Sequence, residues 1–150
     1  MNYLIMLHLL GVVVWVGGMF FAYMALRPVA AQLLEPPLRL PLWANVFQKF
    51  FPWVWLSVIL ILVSGLLIIG KLGGIAVVSH YIHAMYAIGL VMIAVFVFIY
   101  FVPYQKLRRH VSAQEWKPAG EALAIIRKLI GFNLSIGMLN IVVAILGRAI

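Results

Sequence analysis

Three of the four histidines in this chain fall within long apolar segments, where an imidazole costs free energy unless another group satisfies it. His8 lies in the segment YLIMLHLLGVVVWVGGMFF, and His80 and His83 lie close together in a later segment. Ionisable groups inside a membrane usually serve a function, so these three histidines are candidate metal ligands. His110 belongs to a basic, polar segment and is predicted to be a solvated surface residue.

The composition indicates the elements that must position these histidines. Hydrophobic residues make up 67% of the 150 residues and charged residues 9%, and the mean hydropathy is +1.17, which is typical of an integral membrane protein. The apolar stretches predict an all-α, single-domain four-helix bundle of up-down-up-down topology over residues 1–150. The predicted spans are about residues 3–26, 52–70, 76–102 and 130–147.

The absence of some residue types, and the position of others outside the spans, excludes several chemistries. The chain has no cysteine, so it forms no disulfide and no thiolate metal site. Its carboxylates, Glu35, Glu115 and Glu121, all lie in the links between spans, which argues against carboxylate-based hydrolysis within the membrane. No set of nucleophile, base and acid is recognisable, and no catalytic residue is assigned.

The basic residues predict the orientation of the bundle. Of the 11 Lys and Arg residues, only Lys71 and Arg148 lie outside the links that join spans one to two and three to four. This distribution places both links in the cytoplasm and both termini on the periplasmic side. It also explains the net charge of +8 through anionic lipid headgroups, without a nucleic-acid partner. In the first link, the prolines are predicted to interrupt helix, and residues 38–51 to form an interfacial helix.

Depth and face bring the intramembrane polar groups together. In this orientation His8 and His83 each lie on the order of 10 Å inside the outer boundary, with His80 one turn shallower. Asn140 and Ser64 reach a similar level, either as hydrogen-bonding groups between helices or as ligand contacts. On three spans the polar and small residues form single stripes. These stripes are His8, Gly11, Trp15, Gly18 and Ala22; His83, Ala87, Leu90 and Ala94; and Asn133, Gly137, Asn140, Ala144 and Gly147.

Two facing histidines in a helical bundle are a common way to hold haem b, so we expect His8 and His83 to be axial ligands of the iron. Gly11, one turn deeper than His8, would give a macrocycle clearance. Lys71 and Arg148 would lie near the propionates, and His80 would be a neighbour or an alternative ligand. The function predicted from the residues is therefore electron transfer or membrane-bound oxidoreduction, with quinol as a possible electron donor.

The segments HLLGVVVWVGGMFF, FFPWVWLSVILILVSGLLII and HAMYAIGLVMIAVFVFIYFVPYQKLRR resemble the copper-resistance protein D (CopD) family of small bacterial membrane proteins. The layout is also similar to that of the HemJ-type protoporphyrinogen oxidases, and this resemblance implies haem b held by His8 and His83. Met85 stands where the HemJ-type pattern has a lysine. The CopD resemblance implies copper transport across the bacterial inner membrane.

Two further functions remain open besides the haem protein. In a copper carrier, His80 and His83 would chelate one ion better than a His/Met site, since Met6, Met85 and Met138 point away from the neighbouring polar residues. In a purely structural protein, the polar groups would only fix the helix register. A homodimer is compatible with so small a bundle.

Overall fold

The structure, a computed structural model, describes residues 1–149 and is built from helices joined by short turns. Within that range four helical segments are long and apolar enough to cross a membrane: Asn2–Leu33, Pro36–Lys71, His80–Ser112 and Trp116–Ala149. No strand occurs in the described part of the chain. The prediction of an all-α membrane bundle of four helices is therefore confirmed, while the side on which the termini lie stays a prediction.

The first segment is continuous although it contains a proline. Helix α1 spans Asn2–Phe21, a π-helical turn covers Ala22–Leu26, and α2 spans Arg27–Leu33. In the π-helical turn the N–H of Arg27 bonds to the carbonyl of Ala22, five residues back. This wider turn directly precedes Pro28, whose ring and missing N–H do not fit a regular α-helical turn.

The second segment, α3, spans Pro36–Lys71 without interruption. Pro36 and Pro37 stand in its first turn, where no intrahelical N–H donor is needed. Pro41 and Pro52 lie inside the helix. The expectation that the prolines of the first link interrupt helix is thus wrong for Pro28 and Pro41, and the chain leaves helix only at Leu34 and Glu35. The predicted interfacial helix is the first part of α3.

The third segment begins later than predicted. The turns after α3 contain Gly73 and Gly74 with φ of +102° and +96°, a backbone region that favours glycine. Helix α4 then spans His80–Phe101, and α5 spans Pro103–Ser112. Because α4 starts at His80 rather than near residue 76, His83 lies in its first turn instead of two turns below the outer end.

Helix α6 spans Trp116–Ala149 and completes the bundle. Helix α1 packs most extensively along α3, and α4 packs along α6, so the bundle consists of two helix pairs. An aromatic core joins the pairs: the rings of Trp15 and Phe96 lie 6.1 Å apart, and those of Phe51 and Tyr104 lie 4.8 Å apart. This core fixes the relative height of the helices that carry the polar residues.

Candidate functional site

The polar site nearest the chain's start is centred on His8, in the second turn of α1. The side chain is half-buried and faces α3. The stripe predicted for this helix does face inward, because Gly11, Trp15 and Ala22 are buried and Gly18 is partly buried. Helical periodicity therefore places His8 on the face of α1 that is buried in the bundle.

Ser64 of α3 is the hydrogen-bond partner of His8. The Nδ1 atom of His8 lies 3.0 Å from the Oγ atom of Ser64, which is itself only 2% exposed. The Ser64 hydroxyl donates its single hydrogen to the carbonyl of Leu60 on its own helix. With that donation the hydroxyl oxygen is an acceptor for His8, so we assign the proton of the imidazole to Nδ1 on the basis of the hydrogen-bond network. The lone pair on Nε2 is left available to an electron-poor ligand.

The imidazole reaches Ser64 because small residues let α1 and α3 approach closely. A Cβ atom at Gly65 would stand 3.4 Å from Cε1 of His8, so the ring lies directly against this glycine. A Cβ at Gly11 would stand 2.9 Å from Cγ1 of Ile61 and 3.1 Å from the carbonyl oxygen of Ser57. Gly11 thus serves the packing of the two helices, and its role in giving a macrocycle clearance stays a prediction.

The other two intramembrane histidines have a different environment. His80 and His83 are both exposed, with ring centroids 6.3 Å apart. The Nδ1 atom of His83 lies 3.3 Å from the carbonyl oxygen of Ser79, immediately before the same helix. The stripe that continues from His83 through Ala87, Leu90 and Ala94 is exposed along its whole length. The structure therefore does not bring His83 into the core beside His8.

Two asparagines of α6 connect the second helix pair. Nδ2 of Asn140 donates to the carbonyl of Met85 at 3.2 Å, and Nδ2 of Asn133 donates to the carbonyl of Met92 at 3.0 Å. The donors are seven residues apart on α6, and the acceptors are seven apart on α4 in the opposite order. These amides fix the antiparallel register, and within residues 1–149 their buried Oδ1 atoms have no hydrogen-bond partner.

The two basic residues predicted near a cofactor lie at the end of the bundle that also carries the chain's start. Nζ of Lys71 lies 5.5 Å from the centre of the Tyr3 ring, a cation–π contact between the ends of α3 and α1. Arg148 is exposed near the end of α6. Over residues 1–149, no group of three or more His, Asp or Glu side chains is gathered that could hold a metal ion.

Comparison with known proteins identifies the family. The model of the copper resistance protein D family, CopD, matches residues 44–146, which is more than half of the chain. The chain belongs to the CopD family. The match includes Ser64, His83 and Asn140, and it begins after His8. No curated protein and no solved structure gives a significant match.

Membership of the CopD family confirms the resemblance drawn from the sequence, and with the four long apolar helices it indicates a multi-pass membrane protein. The HemJ-like layout stays a prediction. What the structure adds to the family match is the placement of His8, from the unmatched first helix, against Ser64 of the matched region.

Proposed function

We propose that this CopD-family protein handles copper ions within the membrane, and that Nε2 of His8 is the atom that binds them. The observation that carries the proposal is the chain of hydrogen bonds from His8 through Ser64 to the Leu60 carbonyl. The family name points to copper, and the anchored imidazole supplies a nitrogen ligand of the kind that copper accepts. The copper ion is the cargo in this proposal.

The hydrogen bond to Ser64 prepares His8 for metal binding in two ways. A metal-binding histidine usually donates its other N–H to a protein acceptor, which sets the tautomer and the orientation of the ring. Here Ser64 is that acceptor, and Gly65 fixes the distance at which the ring lies against α3. A single anchored imidazole suits an ion in transit, since fewer bonds must break when the ion moves on.

Methionine thioethers are the other ligands that favour copper(I). The methionines close in sequence to His8, His83 and Asn140 do not form a cluster with these residues in the structure. Met6 on α1 is 53% exposed, and Met138 on α6 is 48% exposed. Met85 is partly buried, and its carbonyl accepts the amide of Asn140. These positions support His8, rather than a compact His/Met cluster, as the principal ligand.

Haem b held by His8 and His83 stays a prediction with less support than copper. It requires both imidazoles on one macrocycle, and His83 is exposed on the outside of α4 while His8 is turned toward α3. An electron-transfer or oxidoreductase activity would depend on that haem. We place the protein in the bacterial inner membrane with both termini on the periplasmic side, on the strength of the family and of the basic links.

Copper binding is tested on the detergent-purified protein under reducing conditions. The protein is titrated with copper(I) against a chromophoric chelator, and bound copper is counted by mass spectrometry of the metal. We expect one copper ion per chain, bound more tightly by the native protein and by His83→Ala than by His8→Ala. Equal affinity in all three proteins would refute His8 as the ligand.

An absorption spectrum of the same sample distinguishes the haem protein. A Soret band that shifts on reduction, and that disappears in both His8→Ala and His83→Ala, would show that His8 binds the iron of haem b rather than copper. The variant His110→Ala is the control for both measurements, because His110 lies on α5, outside both sites.

A further inference from the structure

A cavity of about 240 Å³ lies at the end of the bundle that carries the basic links, away from His8. Its walls come from three parts of the chain: the π-helical turn with α2, the first turns of α3, and the start of α6. Three arginines from these different elements line it: Arg27, Arg39 and Arg127. The other lining residues are mostly apolar, among them Leu40, Phe47 and Ile130.

Two of the three arginines are held in place by contacts that leave donors free. The guanidinium of Arg27 lies 4.3 Å from the centre of the Tyr23 ring, and its Nε donates to the Tyr23 carbonyl at 3.2 Å. One terminal nitrogen of Arg39 donates to the carbonyl of Leu34 at 3.3 Å. Since a guanidinium has five N–H donors, each of these residues keeps several for a ligand.

No carboxylate forms an ion pair with these three arginines in the described part of the chain. Over residues 1–149 the one close contact between a basic side chain and a carboxylate joins Nδ1 of His110 to Glu115 at 3.7 Å, and neither residue lines the cavity. Three guanidinium groups around one cavity repel each other unless an anion lies between them. The fork of N–H donors on arginine matches the oxygens of a phosphate group, and it binds them in a bidentate manner.

The π-helical turn forms part of the cavity wall. It widens the helix at Ala22–Leu26, directly before Arg27, and both Ala22 and Tyr23 line the cavity. The Tyr23 ring in turn lies against Gly131 of α6, where a Cβ would stand 2.9 Å from Cε2 of the ring. Such turns inside α-helices are frequently found at functional sites.

We propose that this cavity binds a phosphate-bearing anion, and that the phosphate belongs to the headgroup of an anionic phospholipid. The arginines would hold the phosphate, and the apolar wall formed by Leu40, Phe47 and Ile130 would receive the first part of an acyl chain. Basic pockets between membrane helices bind anionic headgroups in this way. The inference is independent of copper binding, because the cavity shares no residue with the site at His8.

The test measures lipid binding to the intact, delipidated protein by native mass spectrometry in detergent. Phosphatidylglycerol is compared with phosphatidylcholine, and the double variant Arg39→Gln/Arg127→Gln with the control double variant Lys106→Gln/Arg109→Gln. Both variants lose two positive charges, but Lys106 and Arg109 are exposed on α5 and do not line the cavity. A ligand-free melting curve of each variant confirms that the bundle is folded.

We expect the native protein to bind phosphatidylglycerol more tightly than phosphatidylcholine. The cavity variant should lose at least about tenfold in phosphatidylglycerol affinity, as expected for lost charge-assisted hydrogen bonds. The control should lose no more than about threefold, which is the scale of exposed charges. Equal losses in both double variants would overturn the proposal.

Inorganic phosphate, added at millimolar concentration without lipid, separates the two sources of the phosphate group. If it displaces phosphatidylglycerol only when present in large excess, the lipid is the occupant that the cavity selects. If it raises the melting temperature as much as the lipid does, and the cavity variant abolishes that increase, a soluble phosphate replaces the lipid in the assignment.

Discussion

The two helix pairs of the bundle use their intramembrane histidines in opposite ways. In the α1–α3 pair, His8 turns inward and bonds to the side chain of Ser64 on the neighbouring helix. In the α4–α6 pair, His83 is exposed, and its Nδ1 lies near the Ser79 carbonyl beside its own helix. Residue type and approximate depth are therefore not sufficient to pair two histidines, because the rotation of each helix about its own axis decides which of its faces is turned inward.

The α4–α6 pair makes its polar contacts with amides instead. Asn133 and Asn140 each donate across the interface to a backbone carbonyl of α4. An amide that bonds to a backbone carbonyl fixes the register of two helices but offers no strong metal ligand. The first pair therefore carries the group suited to binding, whereas the second pair carries groups suited to assembly.

The largest expected effect separates the two histidines directly. His8→Ala should lower the affinity for copper(I) by at least about a hundredfold, since it removes the ligand itself and loss of an outer-shell partner alone costs about 10–100-fold. His83→Ala should leave the affinity nearly unchanged. Chelator competition on both purified variants measures the difference, and a larger loss in His83→Ala would reverse the comparison.

The second-largest expected effect tests whether the hydrogen bond to Ser64 prepares His8 for copper binding. Ser64→Ala should weaken copper(I) binding by about 10–100-fold, because the imidazole loses the acceptor that fixes its tautomer. Ser57→Ala is a matched control: Ser57 is also buried on α3, and its hydroxyl donates to the Trp53 carbonyl at 2.8 Å. If both serine variants bind copper equally well, Ser64 has only a packing role.

The close approach of α1 to α3 is tested through two glycines of α1. Gly11→Ala should destabilise the protein by about 1–3 kcal/mol, because the added methyl meets Ile61 and the Ser57 carbonyl. Gly17→Ala should be neutral or stabilising, because nothing lies within 4 Å of a Cβ at that position. Unfolding in mixed micelles gives both values, and equal stability of the two variants would contradict the packing described.

The smallest effect concerns the α4–α6 pair. Asn140→Ala should cost about 0.6 kcal/mol of unfolding free energy, the average for a hydrogen bond between membrane helices. It should leave copper(I) affinity unchanged, in contrast to Ser64→Ala. Asn45→Ala is the control, because it also removes an amide side chain. The Asn45 side chain is exposed, and its Nδ2 donates to the Pro41 carbonyl on the same helix. A change in copper affinity in Asn140→Ala would give the second pair a share in the site.

The sequence was sufficient to predict the helical membrane bundle, because four long apolar runs have no other way to satisfy their backbone in lipid. It also predicted the inward face of α1 and that of α6, where Asn133 and Gly137 are buried. The outward face of His83 could not be predicted, because the stripe of which it is part is also made of small and apolar residues. Its exposure depends on the rotation of α4 about its own axis.

The contact between His8 and Ser64 could be predicted in part, because the sequence puts the two residues at a similar depth in the membrane. What the sequence lacks is the rotation of α3, which decides whether Ser64 faces α1, α6 or lipid. The arginine cavity depends on the π-helical turn before Pro28, which no pattern of the first link predicts. Both features result from helix packing and backbone geometry rather than from residue type.

The most direct test of the central claim is nitrogen NMR of the protein labelled with ¹⁵N in its histidine rings, with the His8 signals assigned by comparison with His8→Ala. Without metal, we expect a neutral His8 with the proton on Nδ1, and addition of copper(I), which is diamagnetic, should shift the Nε2 signal of His8 alone. A proton on Nε2, or a copper-dependent shift at His80 or His83 but not at His8, would contradict that claim.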